Sequence, residues 1–220
     1  MKRFFLIASV CAFATASMSA ATVNGKVMFM TKRGQRPVVN ETLVWLEPTG
    51  RTFKKPAGAF TMTTRSKAFL PHVMAVPAGS SVNFPNEDPI AHNLFSLTPG
   101  NTFDLGLYRR GPGKTQKFET PGVVNIYCNI HPNMSAVVHV MQTPYYGFAD
   151  ANGDYSFDVP AGKYRLTAWN EQGGSATTDI EVAADGKIAG ATLLTIDGRN
   201  ARAVQHTNKF GQAYKAPKDY

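Results

Sequence analysis

The feature that most constrains this chain is its rhythm. Apolar and polar residues alternate for a few positions at a time, and then Gly, Pro or Asn breaks the run. Residues 23–29, 42–46, 72–76, 81–84, 123–127 and 136–141 alternate in this way, as do 155–159, 164–169, 177–182 and 191–196. A period of two places successive side chains on opposite faces of a strand, so each run offers one face to a core. No window carries a long apolar stripe at the helical period. Short strands broken this regularly predict an all-β protein of sandwiches or small barrels. The 220 residues suffice for one sizeable domain or two small ones, and 43% hydrophobic against 17% charged residues is a globular composition.

The breaks between the runs suggest an organisation. Residues 51–58, rich in Lys, Pro and Gly, read as a linker or exposed loop, and a second joint lies at Gln142-Thr143-Pro144. The turn at 160–163 is expected to join 155–159 and 164–169 as a strand pair, and the turn at 184–186 to join 177–182 and 191–196. Asp150-Ala151-Asn152-Gly153-Asp154 invites a calcium reading but lacks the downstream bidentate Glu of an EF-hand loop. Asn152-Gly153 between Phe148 and Tyr155 reads instead as a hairpin turn. Beyond Gly198 the chain turns polar and basic, with Arg199, Arg202, Lys209, Lys215 and Lys218, and reads as a tail with little core of its own.

Met1-Lys2-Arg3, the apolar run 4–16 and the small residues Ser17, Ser19, Ala20 and Ala21 together predict a signal peptide cut near Ala20 or Ala21. Lys2 and Arg3 contribute two charges to the formal net charge of +8, which leaves +6 on the mature chain. No later stretch is apolar enough to span a bilayer, so a periplasmic or secreted protein without an integral membrane segment is expected. Cys11 lies in the apolar run with no small-residue lipobox after it, so a lipid anchor is not expected. Once Cys11 leaves with the leader, Cys128 stands alone in an oxidising compartment. Such a thiol is an intermolecular bridge, a nucleophile, an inert core side chain or a metal ligand, and its neighbours decide.

Those neighbours are Tyr127-Cys128-Asn129-Ile130-His131-Pro132-Asn133-Met134, a stretch between two predicted strands. A tight loop there can turn thiolate, imidazole and thioether toward one point. Thiolate, imidazole and a weak thioether suit copper, whereas zinc normally takes a better fourth donor than Met. A second imidazole must come from elsewhere, and His92 supplies it in the loop after Phe84. A Cys–His nucleophilic enzyme would need an oxyanion hole and an orienting carboxylate, and the sequence nominates neither. His72, His139 and His206 have no partners at ligand spacing. His139 alternates with Val138 and Val140, so its side chain is expected to face solvent. Met18, Met28, Met30, Met62, Met74 and Met141 are too scattered to form a methionine-rich tract.

The pattern Phe84-Pro85-Asn86, then His92-Asn93 followed by apolar residues, then Y-C-x-x-H-x-x-M resembles the cupredoxins over residues 60–141. The short C-x-x-H-x-x-M loop is similar to that of the amicyanins. The resemblance implies a cupredoxin Greek-key β-sandwich holding one type 1 copper ion. It also implies His92, Cys128 and His131 as equatorial ligands, Met134 as the axial one, and Asn93 tying the two ligand loops together. Separately, residues 150–169, with Gly25-Lys26-Val27 on to Leu46, resemble the carboxypeptidase regulatory-like, transthyretin-like β-sandwich. That second likeness divides the chain into a signal peptide (1–21), N-terminal strands of the second sandwich (22–55), the cupredoxin domain (56–142), the rest of the second sandwich (143–198) and a basic tail (199–220). A fold likeness of this kind carries no activity with it.

The implied function is transfer of single electrons through Cu(I)/Cu(II), and not catalysis, because the protein itself fills the ligand set and leaves no place for a substrate. A redox protein such as a cytochrome or dehydrogenase is the expected partner. No nucleic-acid motif is present, and export makes that partner class inappropriate. The alternatives are copper binding and delivery without a redox partner, or a structural or adhesion protein stabilised by a metal.

Overall fold

The computed structural model describes residues 20–32, 39–53, 55–199 and 206–214. The leader up to residue 19, with Cys11, and Arg202, Lys215 and Lys218 of the tail lie outside the described residues. Among the described residues the structure is all β apart from one 3-10 turn, Val39–Glu41. Two strands open it, β1 (Ala20–Met30) and β2 (Leu43–Pro48). Ten follow: β3 (Ala59–Thr61), β4 (Thr63–Arg65), β5 (Ala68–Leu70), β6 (Val73–Pro77), β7 (Ser80–Asn86), β8 (His92–Ser96), β9 (Phe103–Tyr108), β10 (Gly111–Phe118), β11 (Gly122–Cys128) and β12 (Ser135–Met141). The last six are β13 (Tyr146–Phe148), β14 (Asp154–Pro160), β15 (Gly162–Asn170), β16 (Gly174–Val182), β17 (Ile188–Ala189) and β18 (Leu193–Asp197).

The ten middle strands make two sheets, ordered β10-β7-β4-β5 with β3 also on β7, and β6-β12-β11-β8-β9. Their inner faces close on a core that includes Met62, Phe84, Leu94, Phe118, Ile126 and Val138. β7 shows the cause: Ser80, Val82, Phe84 and Asn86 point inward while Ser81, Asn83 and Pro85 are only half-buried. Each fully buried Phe or Leu contributes about 1.5–3 kcal/mol relative to exposure, which makes the alternation decisive for the register.

The remaining strands make two more sheets, β14-β1-β18 and β13-β2-β15-β16-β17. β1 pairs antiparallel with β14 and parallel with β18, and β2 lies between β13 and β15. Their core contains Val23, Val27, Leu46, Tyr164, Leu166 and Ile196. Gly25 permits the close approach of these elements, because a side chain there would collide with the Tyr155 ring and the Thr192 carbonyl. The Tyr155 hydroxyl donates to that same carbonyl at 2.6 Å.

Three local expectations fail for one reason. β14 does not pair with β15: it joins β1, while β15 joins β2 and β16. The turn at 184–186 closes β16 onto the two-residue β17, and β18 crosses to β1. The 150–154 turn forms, with Asp150 Oδ1 accepting the amides of Asn152 and Asp154, but its flanking strands β13 and β14 belong to different sheets. In a sandwich two apolar faces share one core, so a chain can step across the core at a corner where a hairpin would keep it in one sheet. The joint at 142–144 is pinned by Thr143, whose buried hydroxyl donates to the Leu46 carbonyl at 2.6 Å.

The two sandwiches meet along β12, which is buried on both faces. Leu43, Ala75 and Met141 form a small core there with Trp45 and Tyr146. His139 is therefore not solvent-facing as expected. It is 4% exposed, packed between Trp45 and the edge of Trp169. Burial pushes its imidazole down to about 4. Nearby, His72 Nε2 meets Glu171 Oε2 at 2.6 Å, and this bond raises the His72 pKa. Among the described residues no helix is long and apolar enough to cross a membrane.

Candidate metal centre

Two chain segments converge at one end of the middle sandwich. His92 is the first residue of β8, Cys128 the last of β11, and the two strands pair antiparallel there. The loop leaving β11 folds back on itself: the Met134 amide donates to the His131 carbonyl, and the Cys128 amide donates to the Met134 carbonyl, both at 3.1 Å. This closure returns His131 beside Cys128. Cys128 Sγ lies 3.8 Å from His92 Nδ1 and 3.6 Å from His131 Nδ1. One ligand atom from each of the three residues falls within 4.8 Å of the others. His92 and Cys128 are fully buried, whereas His131 is partly exposed. Met134 is buried in the core cluster that also contains Cys128.

The outer face of each imidazole differs in surroundings. His92 Nε2 is 2.9 Å from Asp88 Oδ2. The same carboxylate accepts the Ser66 and Lys67 amides at 2.6 and 2.9 Å. Ser66 and Lys67 form the β4–β5 turn, both with positive φ. Burial pushes the Asp88 pKa up, but those two amides and His92 outweigh it and hold the carboxyl below its usual value. A carboxylate on the remote nitrogen fixes the ring and directs Nδ1 toward the thiol, the usual device for orienting a metal-binding His. Asn86 secures this loop, with Nδ2 donating to the Ile90 carbonyl at 2.9 Å. The His131 pKa is lowered, first by burial and then by His92 and Lys67.

The donor set fits copper. Both imidazoles present Nδ1 to one buried thiol, a thioether residue closes the loop, and soft sulfur with imidazole nitrogen is what copper prefers. Asn93 does link the two loops, but through its backbone: its carbonyl accepts the Asn129 amide at 2.8 Å, while its side chain reaches Asp104 on β9. His72 and His139 lie at the interface between the sandwiches, and neither belongs to this cluster. Asp88 is the residue that sequence reasoning missed. The signal was its place four residues before His92, within Asn86-Glu87-Asp88-Pro89.

No family model and no curated protein matches the chain. Solved structures do match it over part of its length. Its structural neighbours are cupredoxins. A purple cupredoxin from Nitrosopumilus maritimus is 22% identical, covering 37% of this chain and 98% of its own, with a TM-score of 0.32. The reduced Cu(I) form of an amicyanin variant is 17% identical over 44% of this chain and 98% of its own, at a TM-score of 0.36. A Cu-containing nitrite reductase from Thermus scotoductus is 20% identical over 53% of this chain but 28% of its own, at 0.37.

Proposed function

We propose that this is an exported type 1 copper protein that passes single electrons, in which His92, Cys128, His131 and Met134 would hold the metal. The observation that carries this reading is the pair of imidazole Nδ1 atoms within 3.8 Å of one buried thiol. Bound copper would supply the Cu(I)/Cu(II) couple. The residues of the chain supply rigidity: Asp88 holds the His92 ring, the 128–134 loop is closed by its own backbone, and the Asn93–Asn129 bond joins the two segments. Ligands held in place by packing keep reorganisation small between two oxidation states. His131, the partly exposed imidazole, is the edge through which an electron would leave.

Four protein donors leave no open position for a substrate, which supports a carrier over an enzyme. The leader at 1–21 supports periplasmic or secreted placement, and the basic mature chain suits a redox partner with an acidic face. The transthyretin-like resemblance of the outer sandwich supports a scaffold role for it, with no chemistry of its own. Delivery of copper is the competing role, but handover needs exposed ligands that a partner can replace in steps, and three of these four are buried. The test mixes reduced, copper-loaded protein with an oxidised soluble cytochrome and, separately, with a Cu(I) chelator of moderate affinity. Fast oxidation with slow metal loss is the expected result. Sluggish electron exchange with rapid, complete transfer to the chelator would replace this reading with delivery.

A further inference from the structure

The basic tail is not detached from the molecule. Residues 206–214 lie against the outside of the ligand loop and touch it at several points. The His206 ring stacks on Tyr127, the residue before Cys128, with centroids 4.1 Å apart and planes 14° from parallel. The Tyr214 hydroxyl donates to the Cys128 carbonyl at 2.5 Å, and the Tyr214 ring meets His206 edge-on. Between them, the Lys209 amide donates to Asn129 Oδ1 at 2.9 Å, and Lys209 Nζ reaches Asp104 Oδ2 at 2.6 Å. Asp104 is the carboxylate that also accepts the Asn93 side chain. The tail segment is itself a built turn: Asn208 Oδ1 accepts the Phe210 and Gln212 amides, its carbonyl accepts the Gly211 amide, and Gly211 takes a positive φ of 74°.

We propose that 206–214 is a strap that clamps the 128–134 loop, with Tyr214 and Lys209 as positioning residues for Cys128 and its neighbour Asn129. This deepens the copper reading above and rests on it only for the consequences in the loaded protein. The contacts fall on Tyr127, Cys128 and Asn129, while Cys128 and Met134 pack into the core, so the loop is tied to both core and strap. A buried thiol is reached by reagents, and a buried metal leaves, only through local opening of such a loop. Every bond that must break first lowers the open population. One hydrogen bond corresponds to roughly two- to tenfold in that population. The several contacts of the strap together correspond to more than about tenfold.

The test uses the mature chain, in which Cys128 is the single thiol. Metal-free protein is treated with a small aromatic disulfide and the rate of Cys128 modification is followed. Removing residues 206–220 should raise this rate more than about tenfold and Tyr214→Phe by two- to tenfold, whereas Met28→Ala, at a side chain 50% exposed on β1 of the outer sandwich, should leave it unchanged. Tyr214→Phe drops only a hydroxyl, so its melting temperature should fall by no more than about 5 °C and the protein should remain folded. In copper-loaded protein the same variant should shift the thiolate-to-copper absorption band and speed metal loss to a Cu(I) chelator. Equal thiol rates in the truncated, Tyr214→Phe and wild-type proteins would overturn the strap, whatever the copper results. Accelerated thiol rates in a protein that never turns blue would leave the strap standing and remove the copper reading instead.

Discussion

The middle sandwich takes all its strands from 59–141, whereas the outer one takes β1 and β2 from one end of the chain and its other six strands from 146–197. The first can close from neighbours in sequence. The second cannot close until chain ends more than a hundred residues apart have met, as the Lys26–Asp154 and Thr22–Asp158 contacts illustrate. Closing a long loop costs little more entropy than closing a short one, so the outer sandwich is not intrinsically weak. It is dependent: β1 is the central strand of one of its sheets and β2 an interior strand of the other. All the candidate ligands lie within 59–141, so the metal centre is expected to form without the outer sandwich.

Cutting the chain is the most severe way to break that comparison. A fragment of residues 143–198 should remain unfolded, because it lacks β1 and β2 and exposes two sheet interiors as edges. A fragment of residues 59–141 should fold and keep Cys128 buried. Circular dichroism and hydrogen exchange on the two pieces check both outcomes, and cooperative folding of the first would mean that the outer strands are self-sufficient.

This division was only partly legible in the sequence. Alternation located β1, β7 and β11, each with one buried face, and short apolar runs bounded by turn residues located β2, β6 and β12. It missed β3, β4, β5, β8, β9, β10, β13 and β17. β3, β4, β5 and β13 are three residues long and too short to show a period, and β10 is mostly exposed and polar. It misjudged His139 because a strand buried on both faces carries no inside-outside contrast. His92, Cys128 and His131 were legible because their side chains have no other common chemistry at that spacing. Asp88 was not, since a carboxylate in a polar loop looks like solvent-facing charge until the fold sets it against a ring. The strap was hidden for a similar reason: a basic, polar tail shows nothing of the surface it will meet.

The interface offers a milder break, by pH. His139 has a folded pKa depressed to about 4, so between about 4 and 6.5 the unfolded chain binds the extra proton. Stability should be full above pH 6.5 and decline as pH falls toward 4, by on the order of 3 kcal/mol. The flanking groups are Trp45 and Trp169, with Glu47 in the same cleft of about 610 Å³. His72 acts in the opposite sense, since its raised pKa gives stability that is present below 6.5 and fades as pH rises through its folded value. Urea titrations from pH 4 to 8 should therefore show an acid limb that flattens in His139→Phe. An unchanged limb in that variant would place the acid sensitivity elsewhere.

The smallest perturbation sharpens the contrast at single residues. Asp88→Asn removes the carboxylate behind His92 and should weaken copper affinity about 10- to 100-fold while the fold persists. Glu171→Gln, which breaks the pair with His72 at the interface, should leave that affinity unchanged. Competition titrations on both variants check the pair, and equal losses would mean that the metal centre does lean on the outer sandwich.

The central claim is that Cys128 binds copper together with His92 and His131. It is tested most directly by titrating the mature protein and its Cys128→Ser variant with Cu(II) while recording visible absorption. One equivalent should turn the wild-type protein intensely blue through thiolate-to-copper charge transfer, and Cys128→Ser should stay colourless with an unchanged β-sheet spectrum. A colourless wild-type complex, or a Cys128 that is still freely alkylated in the loaded protein, would contradict the account.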